Sequence, residues 1–481
     1  MQNAALFCNF TVKETIFYIT LMIRNVVFTF LFFLNFSVAL ADSTAIRLLS
    51  EYVQIESVSG NENEAAYFMA NECRKAGFVV EYINDTTGSV NFAASLYPLS
   101  WNKPNIVFHN HMDVVPAESG KYWDYPPFGG VIDKGKVWGR GAMDNKGLAI
   151  IQFFAAKNFL RSSYDLDLPY NVTLLFVSGE ETGGITGSKI VAKDFIEKFN
   201  PQVVIGEGGA GMDDLGFLTK KSPIFGITIA EKQNLWLRLR WNTDYAGHAS
   251  IVENDYASML MVNGLYRLLN HPMPIIITNE AAIMFRALGE AIGGVKGSVM
   301  KKPDSRLFFK ALELMSKNDP EVRDLVTNKI TLSGIEANRT ALNQNSNTES
   351  AYLDVRLLPG TSVEEIMYYI KSVINDDIVE IDIIDRGMAS AGTVPDKYFA
   401  LLASAIEKEF TDSKVIPMLL PASTDNNFFR ALGIPVYGIN PMMVSDKQLK
   451  AIHNYNEFIK IEDVTKGIVV FSSFLENLLY Q

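Results

Sequence analysis

Short apolar runs that alternate with helical segments are the feature that most limits the fold of this 481-residue chain. The runs begin at Phe78, Ile106 and Val172, and helical patterns such as Leu148 to Leu160 and Ser188 to Phe199 lie between or after them. This alternation is typical of an α/β sheet flanked by helices. Because open α/β sheets bind ligands beyond the carboxyl ends of their strands, the residues that follow each run are the first candidates for function.

A second pattern begins at Leu235, where LWLRLRW alternates apolar and polar residues as in a sheet with one solvated face. A helical pattern (Tyr256 to Leu269), an Ala/Gly-rich stretch, a strand (Tyr352 to Gly360) and a helix (Val363 to Ile374) follow. We interpret this block as a smaller α+β domain inserted into the α/β domain. The predicted divisions are 42–233 and 387–481 for the two parts of the α/β domain and 234–386 for the insertion.

The N-terminus has the pattern of a secretory signal peptide. Residues 22–41 carry one cation, Arg24, then an apolar run, and end in Ala39-Leu40-Ala41, a small-residue cleavage pattern. We predict that Met22 is the true start, that 1–21 are an upstream extension, and that the mature protein is secreted or periplasmic. A longer uncleaved anchor over 16–40 is the alternative, although Arg24 and Asn25 interrupt it.

The charge balance excludes one class of partner. The chain has 43 Lys and Arg against 54 Asp and Glu, a net charge of -11, whereas nucleic-acid binding normally requires a basic surface. Hydrophobic residues make up 48% of the chain, which is ordinary for a folded protein. We therefore expect a small molecule or a peptide as the partner and no nucleic acid.

Histidine and aspartate follow the strand pattern that begins at Ile106. In NIVFHNHMDVVP, side chains two residues apart on a strand share a face, so His109, His111 and Asp113 are predicted to point the same way at its carboxyl end. An aspartate two residues from a metal-binding histidine can orient the imidazole. A lone histidine is usually structural, and the role of His109 stays open.

Carboxylates follow the next elements. Asp144 lies in a glycine-rich turn before a helix, where an N-cap is the common role. Glu180 and Glu181 stand side by side after an apolar strand, and such a pair repels unless a cation lies between them or one is protonated. The pair therefore indicates a metal ligand beside a general base, with a solvated loop as the alternative.

The segment VVIGEGGAG contains G-x-G-x-x-G at Gly206, Gly208 and Gly211, the pattern of a dinucleotide site. That site requires a following helix, whereas the next residues carry Gly216 and Pro223 without a helical period. We interpret Glu207, at this strand end, as a further oxygen ligand. There is no G-x-S-x-G or H-E-x-x-H motif, and Cys73 has no nearby histidine, so nucleophilic serine or cysteine hydrolysis has little support.

Eight motifs in order resemble one enzyme family. They are HMDVVP, GRGAMDNKG, SGEETGG, IGEGG, GHAS, DVRLLPG, STDNNFF and IHNYNE, and they cover nearly the whole mature chain. Together they resemble the di-zinc exopeptidases and amidohydrolases that include aminoacylases, glutamate carboxypeptidases and succinyl-diaminopimelate desuccinylases. The run from Trp123 to Gly130 is most similar to the carboxypeptidase S branch. The resemblance implies a zinc-exopeptidase-like mixed sheet with an inserted lid or dimerisation domain.

The resemblance also implies a site for two zinc ions, with other divalent ions as alternatives. It assigns His111 and Glu207 to one metal and Glu181 and His453 to the other, with Asp144 bridging both. By the same resemblance Glu180 is the general base and Asp113 orients His111. Metal coordination lowers the pKa of water towards ~7, so a glutamate can take its proton at neutral pH.

Three residues of the inserted domain match substrate contacts of the family. The resemblance implies that His248 stabilises the oxyanion, in dimeric members from the neighbouring subunit, that Arg356 grips a free carboxylate, and that Asn343 is a polar contact. His271 ends a helix, where an imidazolium suits the helix dipole, and we interpret it as structural. Asn427 stands where relatives commonly have an arginine, which leaves the substrate open.

These observations predict a zinc-dependent exopeptidase that hydrolyses the amide bond next to a free C-terminal carboxylate, in peptides or N-acyl amino acids. One alternative is a dedicated N-acyl-amino-acid deacylase without peptidase activity. A second is a non-catalytic binding protein on the same scaffold. The resemblance also implies, as one alternative, a homodimer through the inserted domain.

Overall fold

The computed structural model describes residues 43–84, 89–118, 121–213, 223–251, 255–337 and 341–479. The predicted signal peptide, the upstream extension and the alternative anchor lie outside these residues. Within the described ranges, no helix is both long enough and apolar enough to cross a bilayer.

The strands of the described chain form three sheets. In chain order they are β1 (Val79–Asn84), β2 (Asn91–Ser95), β3 (Asn105–His111), β4 (Val131–Asp133), β5 (Lys136–Trp138), β6 (Asn171–Val177), β7 (Pro201–Met212), β8 (Ile224–Glu231), β9 (Gln233–Asn242), β10 (Lys329–Ala337), β11 (Thr348–Leu357), β12 (Val379–Arg386), β13 (Lys414–Leu420), β14 (Val436–Met443) and β15 (Phe458–Lys460). The largest is an eight-stranded mixed sheet in the order β1-β2-β6-β3-β7-β14-β8-β13. A four-stranded sheet has the order β10-β11-β9-β12, and a three-stranded sheet has β15-β5-β4.

Helices cover the sheets. They are α1 (43–54), α2 (Asn63–Ala76), α3 (Lys146–Ser162), α4 (Ser188–Ile190), α5 (Ile196–Phe199), α6 (Ala257–Asn270), α7 (Asn279–Ile292), α8 (Gly294–Met300), α9 (Arg306–Asn318), α10 (Pro320–Val326), α11 (Val363–Ile374), α12 (Lys397–Glu409), α13 (Asn426–Arg430), α14 (Asp446–Ala451) and α15 (Ile461–Leu478). A π-helical stretch, Val191–Phe195, separates α4 from α5, and short 3-10 turns occupy Leu99–Trp101 and Glu180–Thr182.

The centre of the large sheet is parallel, which fixes where the candidate residues meet. Strand β3 pairs in parallel with β6 on one side and β7 on the other, and every residue of β3 and β6 is buried. Because His111 pairs with Val177 at the last position of both strands, the loops after them begin side by side. The ends of β3 and β6 therefore meet at one edge of the sheet, as the sequence predicted. Glu207 was predicted at a strand end, but it lies within β7, which continues to Met212.

The glycines that resemble a dinucleotide motif serve strand packing. Strand β7 continues through Gly206, Gly208 and Gly211 to Met212, so no helix begins at these glycines. A Cβ added to Gly208 would lie 2.8 Å from the Cα of Gly438 on β14, so only glycine lets the two backbones approach this closely. The structure thus agrees with the rejection of a nucleotide site there.

The four-stranded sheet lies within the block predicted as an insertion. Its strands β9 and β11 bury alternate apolar residues against α6 and α11, in one cluster that includes Trp241, Leu353 and Ile370. Gly264 on α6 faces the indole of Trp241, and a Cβ there would lie 3.0 Å from it, which sets how closely α6 packs.

Helices α7 to α10 were not predicted, because the stretch was interpreted only as Ala/Gly-rich. They share a buried cluster with the eight-stranded sheet, in which Phe285 and Leu288 of α7 pack near Ile416 and Leu419 of β13. Local capping signals were present. The side chains of Thr278, Ser305 and Asp319 each accept a backbone N–H at the start of a helix: Thr278 for α7, Ser305 for α9 and Asp319 for α10.

Candidate metal centre

His111 ends β3 with its side chain almost fully buried among carboxylates. Its Nε2 lies 3.1 Å from Asp144 Oδ1 and 3.7 Å from Glu207 Oε2. Its Nδ1 contacts the backbone oxygen of Asp113 at 3.0 Å, which leaves Nε2 for the site. Burial would lower the pKa of His111, but the neighbouring carboxylates outweigh burial and raise it well above the usual range.

Asp144 lies between two imidazoles. Its Oδ1 faces His111, and its Oδ2 is 3.2 Å from His453 Nε2. His453 also lies 3.0 Å from Glu181 Oε2. Hydrogen bonds to Asp144 and Glu181 raise the pKa of His453 to about 10. One carboxylate with an oxygen directed at each imidazole is the geometry expected of a ligand shared by two cations.

The Glu180–Glu181 turn is held in place through its backbone. The carboxylate of Asp113 accepts the N–H of Glu180 and of Glu181, both at 3.0 Å, and the hydroxyl of Ser59 at 2.8 Å. The carboxylate of Asp113 therefore fixes the turn that carries the two glutamates. Its Oδ1 also lies 3.4 Å from His111 Nδ1, beside the contact of its backbone oxygen. Sequence reasoning assigned Asp113 only to His111.

Glu180 and Glu207 complete the cluster. Carboxylate oxygens of Glu180 and Glu181 and a ring nitrogen of His111 lie within 4.8 Å of one another. Burial, together with the charge of Glu207, raises the pKa of Glu180 well above its usual range. Glu207 itself is oriented by the side-chain amide of Asn145, which donates to Oε2 at 2.9 Å.

Glu457 was missed from the sequence, although it lies four residues after His453. It is buried, and its carboxylate accepts the N–H of Gly141 at 3.0 Å, Met143 at 3.0 Å and Asp144 at 3.1 Å, besides the guanidinium of Arg140 at 2.9 Å. These bonds tie the turn that carries Asp144 to the segment that carries His453. The acid in IHNYNE was the available signal.

His109, whose role the sequence left open, points away from the cluster. Its ring is buried against Phe429, and its Nε2 is 2.7 Å from Ser188 Oγ. Ser188 also lies close to Asp425, which is on the wall of the cavity described next. Burial lowers the pKa of His109 to about 3, so this imidazole is neutral and serves the packing around α4 and α13.

A cavity of about 480 Å³ opens over the cluster. Asp144, Glu180, Glu181, Glu207 and His453 lie along its floor, and Arg356 of β11 reaches it from the inserted block. The guanidinium of Arg356 donates to Asp354 Oδ2 at 3.1 Å. Apolar side chains also line the cavity: Ile185, Trp236, Met388, Leu420, Phe428, Leu449 and Ile452.

His248 and Asn343 lie apart from this cavity. Neither lines it, and the two contact each other, with Asn343 Nδ2 3.3 Å from His248 Nε2. Both are exposed. The structure of the single chain thus brings together eight of the ten predicted site residues and places these two elsewhere. His271 caps α6 and contacts the hydroxyl of Tyr369, in agreement with a structural role.

The residues fit metal ions. Three overlapping groups, His111 with Asp144 and Glu207, His111 with Glu180 and Glu181, and Asp144 with Glu181 and His453, bring their ligand atoms within 4.8 Å. Four carboxylates this close repel one another unless cations lie between them. Imidazole nitrogen with carboxylate oxygen is a donor set that suits zinc and similar divalent ions. A mixed sheet with such a centre at its strand ends defines a metal-dependent hydrolase scaffold.

Comparison with known proteins agrees with this scaffold. A model of the peptidase family M20/M25/M40 matches residues 107–477, and the chain belongs to this family. The chain is 26% identical over 385 residues to "Probable carboxypeptidase S-like 2" of Dictyostelium discoideum, covering 77% of this chain and 71% of that protein. It is 24% identical over 376 residues to the human "N-fatty-acyl-amino acid synthase/hydrolase PM20D1", covering 76% and 72%.

Solved structures show the same fold. An M20 family metallo-carboxypeptidase from Sulfolobus solfataricus superposes with a TM-score of 0.66 at 20% identity, covering 90% of this chain and 98% of that one. Human carnosine dipeptidase 1 gives a TM-score of 0.65 at 18% identity, covering 92% and 98%. The predicted family and fold class are therefore confirmed, and the protein is a metallo-hydrolase of the carboxypeptidase and aminoacylase type.

Proposed function

We propose that this protein is a two-zinc exopeptidase that hydrolyses the amide bond next to a free C-terminal carboxylate, in peptides or N-acyl amino acids. The observation that supports this most directly is Asp144, whose two oxygens each face a different imidazole, His111 and His453. Glu207 joins the His111 side and Glu181 the His453 side. Bound zinc would polarise the amide carbonyl and make a water molecule more acidic.

The protein's own groups then move the proton and hold the substrate. Glu180, beside the proposed ligands, accepts the proton of the attacking water on its carboxylate and returns it to the leaving nitrogen. Arg356 at the cavity wall presents a planar guanidinium to the substrate's carboxylate. Asp113 acts through the backbone of Glu180 and Glu181, and keeps the base beside the metal ligands.

The test of the assigned base is Glu180→Gln, which removes the carboxylate and keeps its size. We expect kcat to fall by roughly 10²- to 10⁴-fold, since general base catalysis typically contributes that much. Bound metal, counted by atomic absorption, should be unchanged. Appreciable residual turnover with full metal content would refute the assignment.

The nature of the acyl group is a second question, and one observation bears on it. Apolar side chains along the cavity, Trp236 and Phe428 among them, offer a surface for an acyl chain, which favours N-acyl amino acids as a second candidate class. Rates on dipeptides, N-acetyl amino acids and long-chain N-acyl amino acids, with and without chelator, separate the two classes. Ligand binding without chelator-sensitive turnover would instead indicate a binding protein.

We further propose that His248, with Asn343 beside it, serves the site of a partner subunit as the oxyanion donor, through a homodimer of the inserted domain (234–386). The support is that both are exposed and outside the cavity of their own chain. Mixing Glu180→Gln with His248→Ala chains should restore part of the activity. Failure of mixed dimers to gain activity would count against a shared site.

Export is proposed on the pattern at 22–41, with the mature chain secreted or periplasmic. N-terminal sequencing of exported protein should find a start near Asp42, and a start before Met22 would contradict the predicted cleavage.

A further inference from the structure

Helices α8 and α9 carry a cluster of basic charge on an acidic protein. Residues 294–318 contain six cations, Lys296, Lys301, Lys302, Arg306, Lys310 and Lys317, and two acids, a net charge of +4 in a chain of net charge -11. Both acids are already paired: Asp304 with Arg286 of α7 at 3.2 Å and Glu313 with Lys317 at 3.1 Å. The remaining cations are exposed to solvent.

Large apolar side chains are exposed among these cations. Val295 is 84% exposed, and Leu307 and Leu314 are each 65% exposed. Exposed side chains this large and this open are usually isolated on a protein surface, but these are grouped within two consecutive helices. We call residues 294–318 the basic apolar surface.

The apolar and basic side chains share a face. On α9, Leu307, Lys310, Leu314 and Lys317 follow the spacing of one side of a helix, while Phe308 and Leu312 on the opposite side are buried. Val295 of α8 and Lys302 of the turn that follows α8 line the same shallow depression as Leu307 of α9, which joins the two helices into one surface. The outward side of this helix pair is therefore both apolar and cationic.

We propose that the basic apolar surface docks the protein on anionic lipid bilayers. A helix face that combines exposed leucines with lysines is the composition that lies at the boundary of headgroups and acyl chains, where the leucines leave water and the lysines meet phosphates. A nucleic acid would use the cations but would leave the leucines without a partner. The face lies apart from the metal centre and its cavity, so docking is independent of the proposed hydrolysis.

The experiment places a probe inside the surface of the full chain. The background is Cys8→Ser, and the remaining Cys73 is buried. Ser298→Cys is labelled with an environment-sensitive fluorophore. The labelled protein is titrated with phosphatidylcholine vesicles that contain either no phosphatidylglycerol or about 30% of it. We expect a blue shift on the anionic vesicles that weakens as salt is raised. The same label at exposed Lys447→Cys, on the catalytic domain, should not respond.

Two variants test the two components of the surface. Lys302→Glu with Lys310→Glu, and separately Leu307→Ser with Leu314→Ser, should each weaken partition by about tenfold or more, since each cation near an anionic bilayer contributes measurably to binding. Arg161→Glu with Leu166→Ser makes a comparable change at exposed positions on the catalytic domain and should leave partition unchanged.

Three results would overturn the proposal. One is the absence of a shift at position 298 on anionic vesicles, and another is an equal shift on neutral vesicles. The third is a wild-type dimer in light scattering that Leu307→Ser with Leu314→Ser turns into a monomer, because a second copy would then cover the surface.

Discussion

Glu457 shows how a single buried carboxylate can organise a site that it does not enter. It accepts three backbone N–H groups from the turn that carries Asp144, and a guanidinium N–H from Arg140. Charge-assisted bonds of this kind are stronger than neutral ones. Mutation of a residue that positions a metal ligand commonly lowers the affinity of the site for the metal.

We therefore expect Glu457→Gln to weaken metal binding by about 10- to 100-fold, because the amide nitrogen of glutamine cannot accept the N–H groups that one carboxylate oxygen now accepts. Competition with a chelator of known affinity measures this. Glu462→Gln, at the exposed start of α15, is the matched control. Unchanged affinity in Glu457→Gln would mean that the turn holds its shape without the carboxylate.

The buried neutral His109 predicts a pH dependence of stability. The pKa of His109 is about 3 in the folded state and near 6.5 in an unfolded chain. Between these pH values the imidazole is protonated in the unfolded state and neutral in the folded state. The stability that the neutral His109 contributes is fully present above pH 6.5 and is lost as the pH decreases towards 3. From pH 7 to pH 5 the loss from this group is about 2 kcal/mol.

In His109→Gln this contribution is absent, while an amide still faces Ser188. Urea unfolding in the presence of chelator measures the free energy of unfolding at pH 7 and at pH 5. Its decrease between the two pH values should be about 2 kcal/mol smaller in the variant than in the wild type. Equal losses would show that His109 is already protonated in the folded protein.

At the scale of elements, strand β11 connects the inserted block to the metal centre. It pairs with β9 so that Arg356 lies opposite Asn234, and both residues reach the cavity. The charge of Arg356 is partly offset by Asp354, which also orients its guanidinium. Strand β11 thus places the oriented guanidinium of Arg356 at a cavity whose floor lies at the eight-stranded sheet.

Replacing Arg356 with Met should lower kcat/KM about 10- to 100-fold for a substrate with a free C-terminal carboxylate, mostly through KM, and much less for the corresponding C-terminal amide. Steady-state kinetics on the pair of substrates measures this discrimination. Arg386→Met, which removes a cation of the same cavity from strand β12, is the control. The same loss in both variants would indicate a general effect of charge.

Element patterns also explain what the sequence could predict. Strand ends in a parallel sheet must meet, so His111, Glu180 and Glu181 could be grouped from their positions after apolar runs. Glu207 also follows an apolar run, but it lies within β7 and not at its end. Asp144 and His453 lie in turns, and only the resemblance joined them to the group. The acid in IHNYNE marked Glu457, but its role could not be predicted, because its partners are backbone N–H groups more than 300 residues away. Helices α7 to α10 were missed because glycine and alanine obscured their periodicity, although their caps were readable.

At the scale of the whole molecule, the centre concentrates negative charge in a largely buried place. Without cations the carboxylates of Asp144, Glu181 and Glu207 repel one another, and this repulsion destabilises the folded state. A ligand that binds only the folded state stabilises it by mass action, about 4 kcal/mol when present at a thousand times its Kd.

Removal of metal by chelator should therefore lower the melting temperature, and zinc added back should restore it. Differential scanning calorimetry of the metal-loaded and stripped protein measures the change. Glu180→Gln, which removes one carboxylate, should melt at a higher temperature than the wild type when both are stripped. Identical melting with and without metal would contradict the proposed centre.

The distance along the chain between His111 and His453 has a consequence for biosynthesis. A ribosome must release residue 453 of 481 before the second imidazole can meet Asp144, so a nascent chain carries most of the carboxylates long before it can assemble the complete centre. Strand β15, which pairs with β5, and helix α15 follow His453 and are also synthesised last. With His453 as the proposed ligand, we expect hydrolytic activity to be acquired late in synthesis, and a chain cut short before residue 453 to be inactive.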